Sequence, residues 1–467
     1  MYQKLLITTL LTANIIFIFP VSIHAEVSSQ EQTQHVQKTE NEEKGNRDYS
    51  EKNLHQLIEE LSQYNPELKS LVEKIKAAEL KIPQASALED PRLSFEGSNI
   101  PIRNPSLNRT AMTGLQIYLR QKVPFPGKLK LKKQMALSQS EQEKQMYYER
   151  FNQLIAKFKQ SYFEYQYLNQ AIQFNQQTQK KLRGLIQFLN ARYSTGESSQ
   201  QDILQTKQEI SNITSRLIQL RSQKKLLASR LNTLLYRPQE TELKIKALKQ
   251  LNNDSSSLQV SLETLKKLAK ENRPWLKKKA ADLEEAQLGE KLAKKSLLPD
   301  FDFGAGYRVR QNPPGDPVMG EDFFSAGVSI NLPLYAAKNQ NKKIQEMVHL
   351  QKSEEYLQEA TLQEVLYQTE KAYLEATQLQ SQIHLLRSQI IPQDWATIES
   401  SRASYEATKV DFINLLLSEV TLLNHRTDQV RYQSQYQQKL AEIEMAVGLP
   451  LEVIQTTSKN QENSHEK

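Results

Sequence analysis

The stretch Leu298-Pro299-Asp300-Phe301-Asp302-Phe303-Gly304-Ala305-Gly306-Tyr307-Arg308-Val309-Arg310 is where the fold is decided. After Pro299, which cannot sit inside a helix without breaking it, apolar Phe301, Phe303, Ala305, Tyr307 and Val309 alternate with polar or small Asp302, Gly304, Gly306, Arg308 and Arg310. That period of two is a strand with one apolar and one wet face. A second strand follows, with Phe324, Ala326, Val328, Ile330 and Leu332 set against Ser325, Gly327, Ser329 and Asn331. Earlier in the chain the same pair is written more faintly, as Leu93 and Phe95, then Leu115, Ile117 and Leu119 against Gln116, Tyr118 and Arg120. Each strand is read as roughly 10 residues, the length that crosses a bilayer when tilted. Residues 99–111 and 311–322, rich in Pro, Asn and Gly, read as surface loops between them.

The strand pairs belong to two similar halves. Asn65-Pro66-Glu67-Leu68 opens one and Asn272-Arg273-Pro274-Trp275-Leu276 the other. Asp90-Pro91-Arg92-Leu93-Ser94-Phe95 recurs as Leu298 to Phe303, Val123-Pro124 as Leu332-Pro333, Ala191-Arg192-Tyr193 as Ala403-Ser404-Tyr405, and Tyr236-Arg237-Pro238 as Gly448-Leu449-Pro450. The offset stays near about 208 to 212, as a tandem duplication over 51–250 and 255–453 would produce. Each half is expected to run helix (52–81 and 262–296), two strands, then two long helices. In the long helices, Leu362, Val365, Thr369, Ala372, Ala376, Leu379, Ile383, Leu386 and Ile390 step by three and four, a coiled-coil seam with one polar exception. Looser seams run from Leu154 to Leu189 and from Ile210 to Leu234. No proline interrupts 128–192, which at ~1.5 Å per residue is a rod of ~100 Å.

Composition agrees with a helical rod. The 467 residues hold 13 Gly and 17 Pro, and 25% are charged against 38% hydrophobic. Such a chain favours narrow apolar seams over one large core. With no cysteine, disulfide scaffolds, thiol nucleophiles, Cys-ligated metals and lipid attachment through cysteine are excluded. The net charge of +7 is spread too thinly to mark a nucleic-acid binder. Residues 1–25 read as a signal peptide, with Lys4 the only charge before Glu26, an apolar run from Leu5 to Phe19, and Ala25 as the last residue before cleavage. Residues 26–50 and 454–467 read as disordered lead-in and tail.

An alternating hairpin cannot face lipid with open edges, because unpaired backbone groups cost several kcal/mol each in hydrocarbon. Four strands per chain fall short of the eight that an ordinary closed barrel needs. Copies must therefore combine. A dimer supplies eight strands, whose interior side chains fill, and a trimer 12, which begin to leave a channel.

These pieces together resemble the outer-membrane efflux proteins, the TolC-like channel tunnels of Gram-negative bacteria. The resemblance runs from Leu54 to Leu451. Its most specific motifs are Asn65-Pro66-Glu67-Leu68, Asp90 to Phe95, Pro124-Phe125-Pro126-Gly127-Lys128, Tyr193-Ser194-Thr195-Gly196-Glu197-Ser198, Leu231 to Pro238, and Leu298-Pro299-Asp300-Phe301 with Ile330-Asn331-Leu332-Pro333-Leu334. It implies an α+β membrane protein: long coiled-coil helices form a periplasmic tunnel, and four strands per chain contribute to a 12-stranded outer-membrane barrel in a homotrimer. It also implies an exit duct docked to a periplasmic adaptor and an inner-membrane transporter of the resistance-nodulation-division type, with outer-membrane lipid around the barrel and no cofactor.

The resemblance further places the turn of Tyr193, Thr195, Gly196, Glu197 and Ser198, with its counterpart Tyr405, Thr408 and Lys409, at the periplasmic tip where the adaptor docks. Asp202, Asp411 and Asn414 fall where the family often narrows and charges the aperture. Asp202 reads equally well as a helix-start carboxylate. Phe301, Phe303, Tyr307, Val328 and Ile330 are the barrel-strand residues. Lys128, Lys130, Lys132 and Lys133 are either a solvated helix face or a contact for anionic headgroups or the adaptor. No metal-ligand spacing among the seven histidines, no phosphate loop and no nucleophile elbow appears, so no enzyme is expected. The alternatives are a duct for type I protein secretion and an exported coiled-coil structural or adhesin protein.

Overall fold

The computed structural model describes residues 53–243, 245, 260–407 and 412–456. Residues 1–52, which include the expected leader and lead-in, most of the join between the halves, Thr408, Lys409 and Asp411, and residues 457–467 lie outside the described residues. In chain order the elements are α1 (Leu54–Tyr64), α2 (Pro66–Ser86), β1 (Arg92–Ser98), β2 (Gly114–Val123), α3 (Lys128–Ser194) and α4 (Gln200–Leu234). There follow α5 (Leu262–Asn272), α6 (Pro274–Lys295), β3 (Phe301–Arg310), β4 (Phe323–Ile330) and α7 (Gln340–Leu385). A π-helical turn (Leu386–Ile390), α8 (Ile391–Glu406) and α9 (Phe412–Val447) complete the order.

The opening helix of each half is two helices, not one. A residue before proline is pushed out of the α region, and Asn65 and Arg273 obey, with φ/ψ of −65/119 and −60/118. The Asn65 side-chain oxygen then caps α2 by accepting from the amides of Glu67 (2.9 Å) and Leu68 (3.3 Å). Pro66 and Pro274 sit in the first turn of the new helices, where a missing N–H costs nothing. The apolar period carries straight through this kink, so periodicity alone does not register it.

The four strands form one antiparallel sheet in the order β1-β2-β3-β4. Register sorts the side chains: Phe95 faces Ile117, Ile117 faces Tyr307, and Tyr307 faces Phe324. Leu93, Leu119, Ala305 and Ala326 share that apolar face. The other carries Ser94, Glu96, Gln116, Arg120, Asp302, Arg308, Ser325 and Ser329. A one-residue slip in any pair would mix the two sets. β1 (7 residues) and β4 (8 residues) fall short of the expected length.

On the polar face the Tyr118 ring lies flat across Gly304 and Gly306, in the room left by their missing Cβ atoms. A Gly306→Val substitution drives a branched side chain into that ring and is expected to destabilise by about 1–3 kcal/mol. Gly327→Val, where a Cβ meets nothing within 4 Å, is expected to be close to neutral. Thermal midpoints of the two purified variants give the comparison.

Helix α3 is 67 residues long, ~100 Å at 1.5 Å per residue. The seams pack as expected, since Val365, Ala372, Ala376, Leu379 and Ile383 are buried. The polar exception Thr369 is fully buried and donates its hydroxyl to the Val365 carbonyl (2.8 Å). The continuous seam expected through Ile390 is instead relieved by the π-helical turn just before Pro392. The wider turn absorbs the clash and lost hydrogen bond that a proline brings to a helix interior. Among the described residues four cores line the rod, three of them large and a small one around Leu168, Ala171 and Leu220. One joins α1, α3 and α4 through Leu61, Phe158 and Leu231, and another joins α5, α7 and α9 through Leu265, Ala376 and Ile443. The third joins both halves far from the sheet, through Leu189, Ile213, Ile398 and Phe412.

Lys128 does not belong to an exposed cluster. It is buried where the first helical turn of α3 meets the start of β3, and its ammonium donates to Asp300 Oδ1 (2.7 Å) and the Leu298 carbonyl (2.9 Å). The amide of Phe125 donates to the same carboxylate oxygen (2.9 Å). Burial pushes the Asp300 carboxyl upward, but the Lys128 and Phe125 hydrogen bonds and the charge of Lys128 outweigh it and hold the group below its ordinary range. A depressed carboxylate stabilises above its unfolded pKa and loses that contribution as pH falls through the folded one. Asp300→Asn is therefore expected to lower the thermal midpoint at pH 7. The gap to the parent protein should shrink only below about pH 4.

Candidate channel surfaces and the helical tip

The five residues expected in barrel strands lie on the apolar face of the sheet, four of them exposed. Phe303, Tyr307, Val328 and Ile330 are 46–60% exposed, and Phe301 is half-buried in a stack with Phe125 and Phe303. So much exposed apolar surface on one side of a sheet is a membrane or subunit contact. β1 and β4 each have a strand neighbour on one side only. Among the described residues no helix is long and apolar enough to cross a membrane.

At the far end, α3 closes in a Schellman motif. The Gly196 amide donates to Tyr193 O (3.1 Å) and the Glu197 amide to Arg192 O (2.9 Å), with Gly196 at φ +80. Glycine is there for its backbone conformation, since a Cβ would meet nothing within 4 Å. Thr195, Gly196 and Glu197 are exposed and Ser198 half-buried. Asp202 closes a capping box for α4: it accepts from the Ser199 amide (3.2 Å), while its own amide donates to Ser199 Oγ (3.1 Å). The helix-start role accounts for its position without a gate. Asn414 is exposed in the first turn of α9.

The two matched tyrosines part company. Tyr193 is 51% exposed, whereas Tyr405 is 7% exposed and packs edge-on against Phe412 with ring centroids 5.5 Å apart. Arg192 binds the two tips together. Its guanidinium lies 5.0 Å from the Tyr405 ring centroid and 3.2 Å from Glu197 Oε2. Sequence reading missed Arg192 as a functional residue. The signal was present in the quoted triplet, since Ser404 stands at the matching place and only one half brings a cation to the tip. Arg192, Glu197, Asp202, Tyr405 and Phe412 line a cleft of about 620 Å³. Among the described residues no group of three or more His, Asp or Glu side chains could hold a metal ion.

An apolar exposed sheet, open strand edges and a long helical rod define a channel-tunnel subunit. The family model for outer membrane efflux proteins matches residues 57–235 and 265–449, and the chain belongs to that family. It is an outer-membrane protein with a helical periplasmic tunnel, in a family of channels and not of enzymes. A search of curated proteins finds no match. Among solved structures, CusC, described in terms of transmembrane channel formation, is 17% identical with a TM-score of 0.72, covering 86% of this chain and 93% of its own. VceC from Vibrio cholerae is 17% identical (TM-score 0.72, covering 86% and 98%). The open-state outer membrane channel MtrE of Neisseria gonorrhoeae is 15% identical (TM-score 0.69, covering 85% and 89%). All three share the fold.

Proposed function

We propose that three copies of this chain close a 12-stranded barrel, β4 of each subunit pairing with β1 of the next, and serve as the passive exit duct of a tripartite efflux system. The observation that carries the reading is the sheet: four strands, two unpaired edges and one largely apolar exposed face. Such a sheet is stable in lipid only when closed, and its polar face, with Arg308, Gln116 and Ser325, suits a wet lumen. The two halves are read as a tandem duplication.

In this function small toxic compounds or metal ions pass from periplasm to exterior. An inner-membrane transporter of the resistance-nodulation-division type supplies the energy. A periplasmic adaptor docks at the exposed tip turn of Tyr193, Thr195, Gly196, Glu197 and Ser198 beside Tyr405, and at Thr408 and Lys409. Asp202, beyond its capping role, and Asp411, repeated around a threefold axis, would charge the aperture and favour cations, whereas Asn414, at the place matching Asp202, brings no charge.

The test is to purify the protein from outer membranes, measure its mass in detergent, and record single channels in planar bilayers. A trimer with discrete conductance supports the reading, as does increased sensitivity of a deletion strain to dyes, detergents or metals. A water-soluble monomer without conductance overturns it.

A further inference from the structure

The sheet end nearest the helices is rich in lysine, with Glu89, Asp90, Asp300 and Asp302 as the acids at the same end. Val123, Phe301 and Ile330 stand at one level there, so α3 and α7, which start just beyond β2 and β4, leave from the same rim. Residues 121–133 and 331–345 contain eight lysines and no Asp or Glu. At the opposite end, loops 99–113 and 311–322 hold Arg103 and Arg109 against Asp316, Glu321 and Asp322. Three of the rim lysines are matched within the chain: Lys122 by Glu89 (3.3 Å), Lys128 by Asp300 (2.7 Å) and Lys343 by Glu346 (2.8 Å). Lys130, Lys132, Lys133, Lys338 and Lys342 are exposed and pair with no carboxylate among the described residues.

Their placement selects a partner. At ~1.5 Å per residue, Lys130 to Lys133 and Lys342 lie within ~9 Å of the helix starts, the depth of a headgroup layer beyond the hydrocarbon. Between β4 and Lys338, the side chains of Leu332 (63% exposed), Leu334 (80%) and Tyr335 (81%) stand open. An acidic protein would match the lysines and leave these apolar groups unexplained. A bilayer interface matches both, taking the apolar groups at its boundary and the ammonium groups at its phosphates.

We infer that this rim is a binding surface for anionic phospholipid headgroups of the periplasmic leaflet, gripped by Lys130, Lys132, Lys133, Lys338 and Lys342. It rests on the channel reading only in placing the rim at the membrane's periplasmic face. Each lysine near an anionic surface contributes roughly fivefold to binding, and the attraction weakens as salt shortens the screening length from about 10 Å at 0.1 M.

The experiment uses the full protein purified in mild detergent and equilibrated with equal phosphatidylglycerol and phosphatidylethanolamine, with bound lipid read by native mass spectrometry. The expected result is preferential retention of phosphatidylglycerol, weakened by 0.5 M salt. The preference should fall at least about tenfold when the five lysines become glutamine, and stay when they become arginine. Equal retention of the two lipids by the parent protein overturns the inference. So does an unchanged preference in the glutamine variant, including the case where that variant instead loses a co-purifying protein. The salt titration needs no variant and stands even if the glutamine protein fails to fold. Conductance and mass of the same samples report separately on the channel.

Discussion

Oxidation of a Phe95→Cys/Ile330→Cys variant is expected to convert the protein into a covalent trimer on a denaturing gel. The register follows from the internal match of the halves. In the chain, Gln121 on β2 faces Phe303 on β3. Val123-Pro124 matches Leu332-Pro333, so Gln121 corresponds to Ile330, and Phe303 corresponds to Phe95. The junction between subunits should repeat the junction between halves, placing Ile330 opposite Phe95 of the next copy on the apolar face. Directly opposed residues have Cβ atoms about 4.5–5.5 Å apart, close enough for a disulfide after small adjustment. The parent chain has no cysteine, so background coupling is absent. A Phe95→Cys/Phe324→Cys pair, with Phe324 six residues along β4 from Ile330 and so out of register at that junction, should stay uncoupled. A dimer band in place of the trimer would mean that like edges meet, and the barrel would have to be redrawn.

Arg237→Ala is expected to be the most damaging substitution in the helical part, at about 3–5 kcal/mol. Arg237 follows the end of α4 and binds Glu60 of α1 through two bonds, Nε to Oε1 (2.6 Å) and Nη2 to Oε2 (2.5 Å). The side chains are 2% and 4% exposed. Truncating the arginine leaves the carboxylate in the core without its cation, and that uncompensated charge, more than the lost attraction, sets the cost. A Glu60→Leu/Arg237→Met double variant removes both charges and keeps the volume, and should recover most of the loss. Thermal midpoints of parent, single and double variants decide. A single variant as stable as the double would show that Glu60 finds water when its partner is gone.

The strands and seams were open to a sequence reader because they are local. Alternation in residues 301–310 needs no knowledge of what the strand touches, and a three-four step names the buried stripe of α7 before its partners are known. The capping role of Asp202 was equally legible, since Ser199 stands three residues ahead of it. Other features join residues distant in the chain, and no short window contains them. Lys128 looked like one of four exposed lysines until the fold set Asp300 beside it, 172 residues away. Arg237 and Glu60 are 177 residues apart, and Tyr118 shows its need for Gly304 and Gly306 only once β2 lies against β3. The tips make the same point most simply. Tyr193 and Tyr405 occupy matched places in two similar halves, yet one is open and the other enclosed by Phe412 and Arg192. Periodicity reports which face of an element is apolar; only packing determines what that face meets, because the energy of burial belongs to the pair of surfaces and not to either one.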